Sequence, residues 1–158
     1  MDAIVLLKND HKTVEKLFKQ YEKAADDAYE EKRQIVAQFI AELSVHAHIE
    51  EQIFYPEARE QAPETEDHVL ESLEEHHIVK WVLSELQDMD PRDERYDAKV
   101  SVLMENVRHH VEEEEHDWFP EVRKAFGRKK LQEIGERLAA AKETAPREPQ
   151  PQAPYEPQ

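Results

Sequence analysis

His46-Ala-His-Ile-Glu50-Glu51-Gln-Ile-Phe-Tyr55-Pro56-Glu57 and His110-Val-Glu-Glu-Glu114-Glu115-His-Asp-Trp-Phe119-Pro120-Glu121 share one frame, H-x-x-x-E-E-x-x-x-x-P-E, and lie 64 residues apart. On an α-helix, residues four apart project from one face, one turn from each other. Each copy therefore sets an imidazole beside a carboxylate, two donor types that can hold one metal ion from two directions. Two copies in a chain of helix-bundle length point to two metal ions held between matching helices.

The repeat extends outward from these stretches. Asp10-His11-Lys-Thr-Val14 precedes Glu75-His76-His-Ile-Val79 by 65 residues, with the same acid-His-x-x-Val order. The first pair of helices thus resembles the second pair, and His11 and His76 fall at related positions. This register chooses among crowded neighbours. His76 lies on the Val69-Leu73-Val79-Leu83 stripe, whereas His77 is turned about 100° away. By the same reasoning His110 is preferred over His109, Glu114 over Glu113 and Glu115, and His46 over His48.

Apolar residues recur with the helical period over residues 2 to about 26, 30 to about 60, 66 to 88 and from about 94 to Phe126-Gly127. A shorter helix follows through Leu131, Ile134 and Leu138. The expected fold is all-α, an up-down-up-down four-helix bundle over 1–127 with a short C-terminal fifth helix in 128–145. Pro56 and Pro120 fall inside the second and fourth helices, where a kink or local break is expected. Residues 146–158 hold five of the nine prolines and read as a disordered tail.

Composition narrows the function. The chain has 158 residues, 37% charged, with only two glycines and a net charge of -16. Nucleic acid and anionic membranes are poor partners for such a charge. There is no cysteine, which removes disulfides, thiolate metal sites and a cysteine nucleophile. No apolar run reaches the ~18 residues of a membrane span and the N-terminus does not read as a signal peptide, so a cytoplasmic location is the default. Nine histidines is a high count for this length. Burying four of them with two glutamates would leave carboxylates unpaired at a cost of several kcal/mol each, unless a cation shares the site. A nitrogen and oxygen donor set suits iron or manganese and tolerates zinc.

With Asn9-Asp10-His11, His46 with Glu50-Glu51 and Tyr55-Pro56, Glu75-His76, and His110 with Glu114-Glu115 and Phe119-Pro120, the chain resembles the hemerythrin-like (HHE) cation-binding domains. The likeness covers residues 1–127. It implies a four-helix bundle with a non-heme di-iron centre bridged by two carboxylates and an oxo or hydroxo group. The implied terminal ligands are His11, His46, His76 and His110, and the implied bridges Glu50 and Glu114. Two departures from the oxygen-carrying members stand out. Ser72 occupies the place of a further histidine one turn before His76, and the last ligand pair is His-x-x-x-Glu rather than His-x-x-x-x-Asp. The implied ligand set then leaves two positions open on an octahedral pair, where a reversible carrier leaves one.

That count favours chemistry in which both irons meet the ligand, such as catalase-like peroxide disproportionation. The expected partner is a small molecule: oxygen, peroxide or nitric oxide. The alternatives are iron or oxygen sensing, storage or reversible oxygen binding without turnover, and a structural bundle using zinc. Tyr55 reads either as a phenolate reaching a metal or as a packing aromatic matched by Phe119. Ser72, Phe54 and Trp118 read as lining the pocket or core. His48, His68, His77, His109 and His116 read as surface groups or as support for the ligands. Glu51 and Glu115 read either as hydrogen-bond partners of ligating imidazoles or as a solvated face.

Overall fold

The computed structural model describes residues 1–149, and every regular element among them is helical. The tail reading falls from residue 150 onward outside the described residues, while 146–149 carry no helix. The first helix, α1 (Ala3–Lys23), starts at Asp2, whose carboxylate accepts the Val5 N–H at 2.8 Å as an N-cap. Then follow α2 (Tyr29–Ile49), a π-helical turn (Glu50–Phe54), α3 (Tyr55–Gln61), a 3₁₀ turn (Pro63–Thr65) and α4 (Glu66–Gln87). The second half repeats the pattern with α5 (Tyr96–Glu113), a second π-helical turn (Glu114–Trp118) and α6 (Phe119–Lys142).

The expected breaks at Pro56 and Pro120 take the form of these widened turns. The Tyr55 N–H bonds the Glu50 carbonyl and the Phe119 N–H bonds that of Glu114, each five residues back. A proline lacks the next N–H and its ring presses on the carbonyl four residues earlier, so a loosened turn just before it relieves both problems. The first residue of each π turn is the repeated glutamate.

The core shows why the helices alternate in direction. One apolar cluster contains Ile4, Leu7, Ile49, Phe54, Val69, Trp118 and Phe119; a second contains Val14, Phe18, Phe39, Leu43, Leu83, Leu103 and Val107. Between them lie the buried polar residues Asp10, His11, Ser44, His46, Glu50, Ser72, His76, His110 and Glu114. Along α1 and α4 the chain passes from the first cluster through this layer to the second; along α2 and α5 it passes the other way. Alternating order is what an up-down-up-down bundle requires, so the expectation is borne out.

The fifth helix is a continuation of α6 past a break at Gly127, the positive-φ glycine of the described residues, at φ 75°. An L side chain rarely adopts that backbone, and the change of direction lays Leu131, Ile134 and Leu138, all fully buried, over the first cluster. Gly135 backs onto the chain start, where a Cβ would lie 2.0 Å from the Met1 carbonyl oxygen. At the opposite end, buried Lys32 donates to the Asp26 carbonyl at 3.0 Å and to Asp97 at 3.1 Å, and the Tyr21 hydroxyl also donates to Asp97. No helix among the described residues is long and apolar enough to cross a membrane.

Candidate metal centre

The six residues singled out by the repeat meet in the polar layer. Each is less than a tenth exposed, and Glu50 and Glu114 are wholly buried. The rejected neighbours are not: His77, His109 and His116 are exposed and His48 is half-buried. His68 is half-buried and stacks on Trp118 with ring centroids 4.8 Å apart.

The imidazole Nε2 atoms point inward at carboxylate oxygens. His46 Nε2 lies 3.0 Å and His76 Nε2 3.3 Å from the same Glu50 oxygen. Glu114 uses both oxygens, Oε1 at 3.2 Å from His11 and Oε2 at 3.1 Å from His110. Two donor groups emerge, His11 with His46 and Glu114, and Glu50 with His76 and His110; within each, the ligand atoms lie within 4.8 Å of one another. Each group draws on both halves of the repeat, since the helices that meet are not the helices that match.

The outer face of the imidazoles is held by a second ring of carboxylates. Asp10 accepts from His46 Nδ1 at 2.8 Å, Glu51 from His76 Nδ1 at 2.8 Å, and Glu115 from His11 Nδ1 at 2.5 Å. Glu75 approaches His110 Nδ1 at 3.3 Å, outside hydrogen-bond geometry. Glu51 and Glu115 therefore act as hydrogen-bond partners of the imidazoles. The sequence reading missed Asp10 and Glu75, although the recurring acid before His11 and His76 was the signal. Each acid faces the histidine of the neighbouring helix, His46 or His110, rather than the one beside it in sequence.

Tyr55 is buried, and its hydroxyl donates to Glu114 Oε2 at 3.0 Å and lies 3.1 Å from His76 Nε2. The side chain is thus more than a packing aromatic. Burial and the Glu114 and Glu50 carboxylates push the phenol well above its usual range, so it is a proton-bearing donor in this arrangement. Burial opposes charge on His46, but Glu50 and the Asp10 hydrogen bond outweigh it and raise the imidazole to about 10. The same contest ends with His110 raised and Glu114 held well below the carboxylate range, by His110 and His11.

The residues fit a cation. His11 Nε2, His46 Nε2, His110 Nε2, Glu114 Oε1 and both Glu50 oxygens are buried without a hydrogen-bond partner among the described residues, although they face one another. Such groups are rare in folded proteins and expensive to leave unmatched. A cation in each donor group would give these atoms a partner.

Residues 2–122 match the family model described as the Hemerythrin HHE cation binding domain. The chain is 26% identical over 149 residues to an uncharacterized hemerythrin-like protein of Schizosaccharomyces pombe, covering 94% of this chain and 72% of that one. Its fold is similar to the crystal structure of a hemerythrin HHE cation-binding domain-containing protein from Mycobacterium kansasii, with TM-score 0.78 and 24% identity over 91% of this chain and 86% of the other.

Proposed function

Because the chain belongs to the Hemerythrin HHE cation-binding domain family, we propose that its buried histidine and glutamate layer holds two iron ions and meets a small oxidant there: peroxide, oxygen or nitric oxide. The observation that carries this reading is the set of unpartnered donor atoms converging between two apolar clusters. His11, His46 and Glu114 would face one ion, and Glu50, His76 and His110 the other. Glu114, with one oxygen toward His11 and one toward His110, is suited to span the pair.

When bound, an iron pair supplies two-electron redox capacity at an oxygen–oxygen bond. The protein's part is positional. Asp10, Glu51 and Glu115 accept the Nδ1 protons and so fix Nε2 as the inward atom of three imidazoles. The Tyr55 hydroxyl holds a proton on the Glu114 carboxylate at the inner edge, as a hydrogen-bond donor and candidate extra ligand. Phe54, Trp118 and Phe119, each at most 1% exposed, exclude water from that side.

With Ser72 in the place where the oxygen-carrying members have a further imidazole, only six side chains would hold the pair, three in each donor group. This favours catalase-like turnover, in which one peroxide is oxidised to oxygen and another reduced to water, over reversible oxygen carriage. The test is the iron content and optical spectrum of purified protein, followed through peroxide addition with an oxygen electrode. Both irons present and oxygen released is the expected result. Iron without peroxide loss would replace turnover with sensing, storage or oxygen binding, and a colourless zinc protein would overturn the assignment.

A further inference from the structure

Two voids meet at this centre. A small, partly enclosed chamber of about 40 Å³ is lined by all four inner imidazoles and otherwise mainly by aliphatic side chains such as Leu43 and Leu83. A larger cleft of about 260 Å³ opens on the surface between α1 and α5, beside Arg108 and His116. His11, Val14, Val107 and Val111 line both. We propose that this cleft is the entrance through which a small uncharged molecule reaches the centre, with Val14, Val107 and Val111 as the partition that limits its size. The inference rests on the reading of the layer as a metal centre that takes a small oxidant.

Three observations select this route. The opposite side of the layer is closed by Phe54, Tyr55, Trp118 and Phe119, none more than 1% exposed. The seam between α1 and α5 is packed more sparsely than the contacts of α1 with α2 and α6. At the cleft it is spanned by Arg108, which donates to Glu15 at 2.7 Å and to Glu22 at 3.0 Å. These side chains are each more than a third exposed, so solvent and salt screen this network.

A rival rim exists where Glu75 and Lys80 reach the chamber from α4. Lys80 is bound to Glu51 at 2.6 Å and Glu51 to His76 at 2.8 Å, so entry there must part a charge-assisted chain that supports an inner imidazole. The cleft also has such a pair, Glu115 with His11 at 2.5 Å, but the three valines shared by the two voids carry no polar bond that would have to part. The aliphatic part of the chamber walls also favours an uncharged visitor, since it offers a charged one nothing to replace its water. The net charge of -16 works against anions at the mouth.

The test follows nitric oxide binding to the iron-loaded, reduced protein by stopped flow. Val107→Phe should slow association by about tenfold and Val107→Ala should speed it, with iron content and the saturated spectrum unchanged. The opposite signs keep the test decisive if the larger side chain impairs folding. Equal rates in wild type and Val107→Ala, or acceleration by Lys80→Ala in place of Val107→Ala, would overturn the route. Xenon pressurisation of metal-free crystals gives a second reading, independent of iron. Xenon in the chamber is expected, and a water-filled chamber that takes none would also overturn it. A protein that takes xenon but never holds iron would instead fail the metal reading.

Discussion

The two halves of the bundle agree on the inner layer and differ just outside it. Each supplies two imidazoles and one glutamate, and each glutamate opens a π turn before a proline. In the first half, Asp10 is hydrogen-bonded to His46 and bound to Lys142; its counterpart Glu75 lies 3.3 Å from His110 with no hydrogen bond to it. Glu51 is clasped by Lys80, whereas Glu115 holds His11 with no salt bridge to a lysine or arginine among the described residues. Tyr55 puts a hydroxyl into the layer, whereas Phe119 places an apolar ring parallel to His11 at 6.1 Å. The inner donors obey the repeat and form two matching groups of two imidazoles and a carboxylate. The outer groups are freer to diverge, and there the two donor groups acquire different surroundings.

The strongest way to break the symmetry is to remove one inner member from each half. His46→Ala and His110→Ala should lose metal equally, and Glu114→Ala should lose it from both positions, measured as iron per chain. Each deletion leaves its partners as uncompensated buried charges. Unchanged iron content in any of the three would contradict the ligand assignment.

The outer carboxylates should respond unequally. Asp10→Ala should weaken metal binding by about 10–100-fold, the usual effect of losing a hydrogen bond behind a ligating histidine. Glu75→Ala should cost much less, because its contact to His110 is not a hydrogen bond. Competition with a chelator reads both. Equal losses would mean that Glu75 closes on His110 when metal binds, and that the asymmetry belongs to the metal-free protein alone.

Tyr55→Phe makes the first half resemble the second. It removes the hydroxyl from Glu114 and should cost about 1–3 kcal/mol in the stability of the metal-free protein, since a buried acceptor loses its donor. Denaturant unfolding with the metal removed measures this. A change in the optical spectrum of the iron-loaded variant would further place the hydroxyl at the metal, and an unchanged spectrum would restrict it to Glu114.

Much of this was legible in the sequence because helical period and repeat register act on the same residues. The inward stripe found His11, His46, His76 and His110, and the prolines marked where each long helix would be disturbed. Register runs along a helix, however, and does not say which helices touch. The pairing of Glu51 with His76 and of Glu115 with His11 joins helices far apart in sequence, and only packing reveals it. The direction of the Tyr55 hydroxyl was open for the same reason, since a disturbed turn could aim it anywhere. The docking of Gly135 against Met1 depends on a close approach between the two ends of the described chain, which no local pattern encodes.

The smallest predicted effect lies where the halves are joined rather than matched. Lys32 of α2 meets Asp97 of α5 at 3.1 Å, with the Tyr21 hydroxyl on the same carboxylate. Burial works against the Asp97 charge, but the hydrogen bonds from Tyr21 and Lys32 outweigh it and lower the carboxyl below 3.8. A lowered folded-state value means stability that is present above the unfolded value and lost as pH falls through the folded one. Asp97→Asn should therefore be less stable than the parent at pH 7, with the gap closing as the pH drops below about 4. The Asp97 side chain is 58% exposed, so solvent screening holds the difference below about 1 kcal/mol. Denaturant unfolding of both proteins across this range measures it. A gap that stays constant into acid would show that Lys32 is held by the Asp26 carbonyl and its surroundings, with the ion pair between the halves contributing nothing.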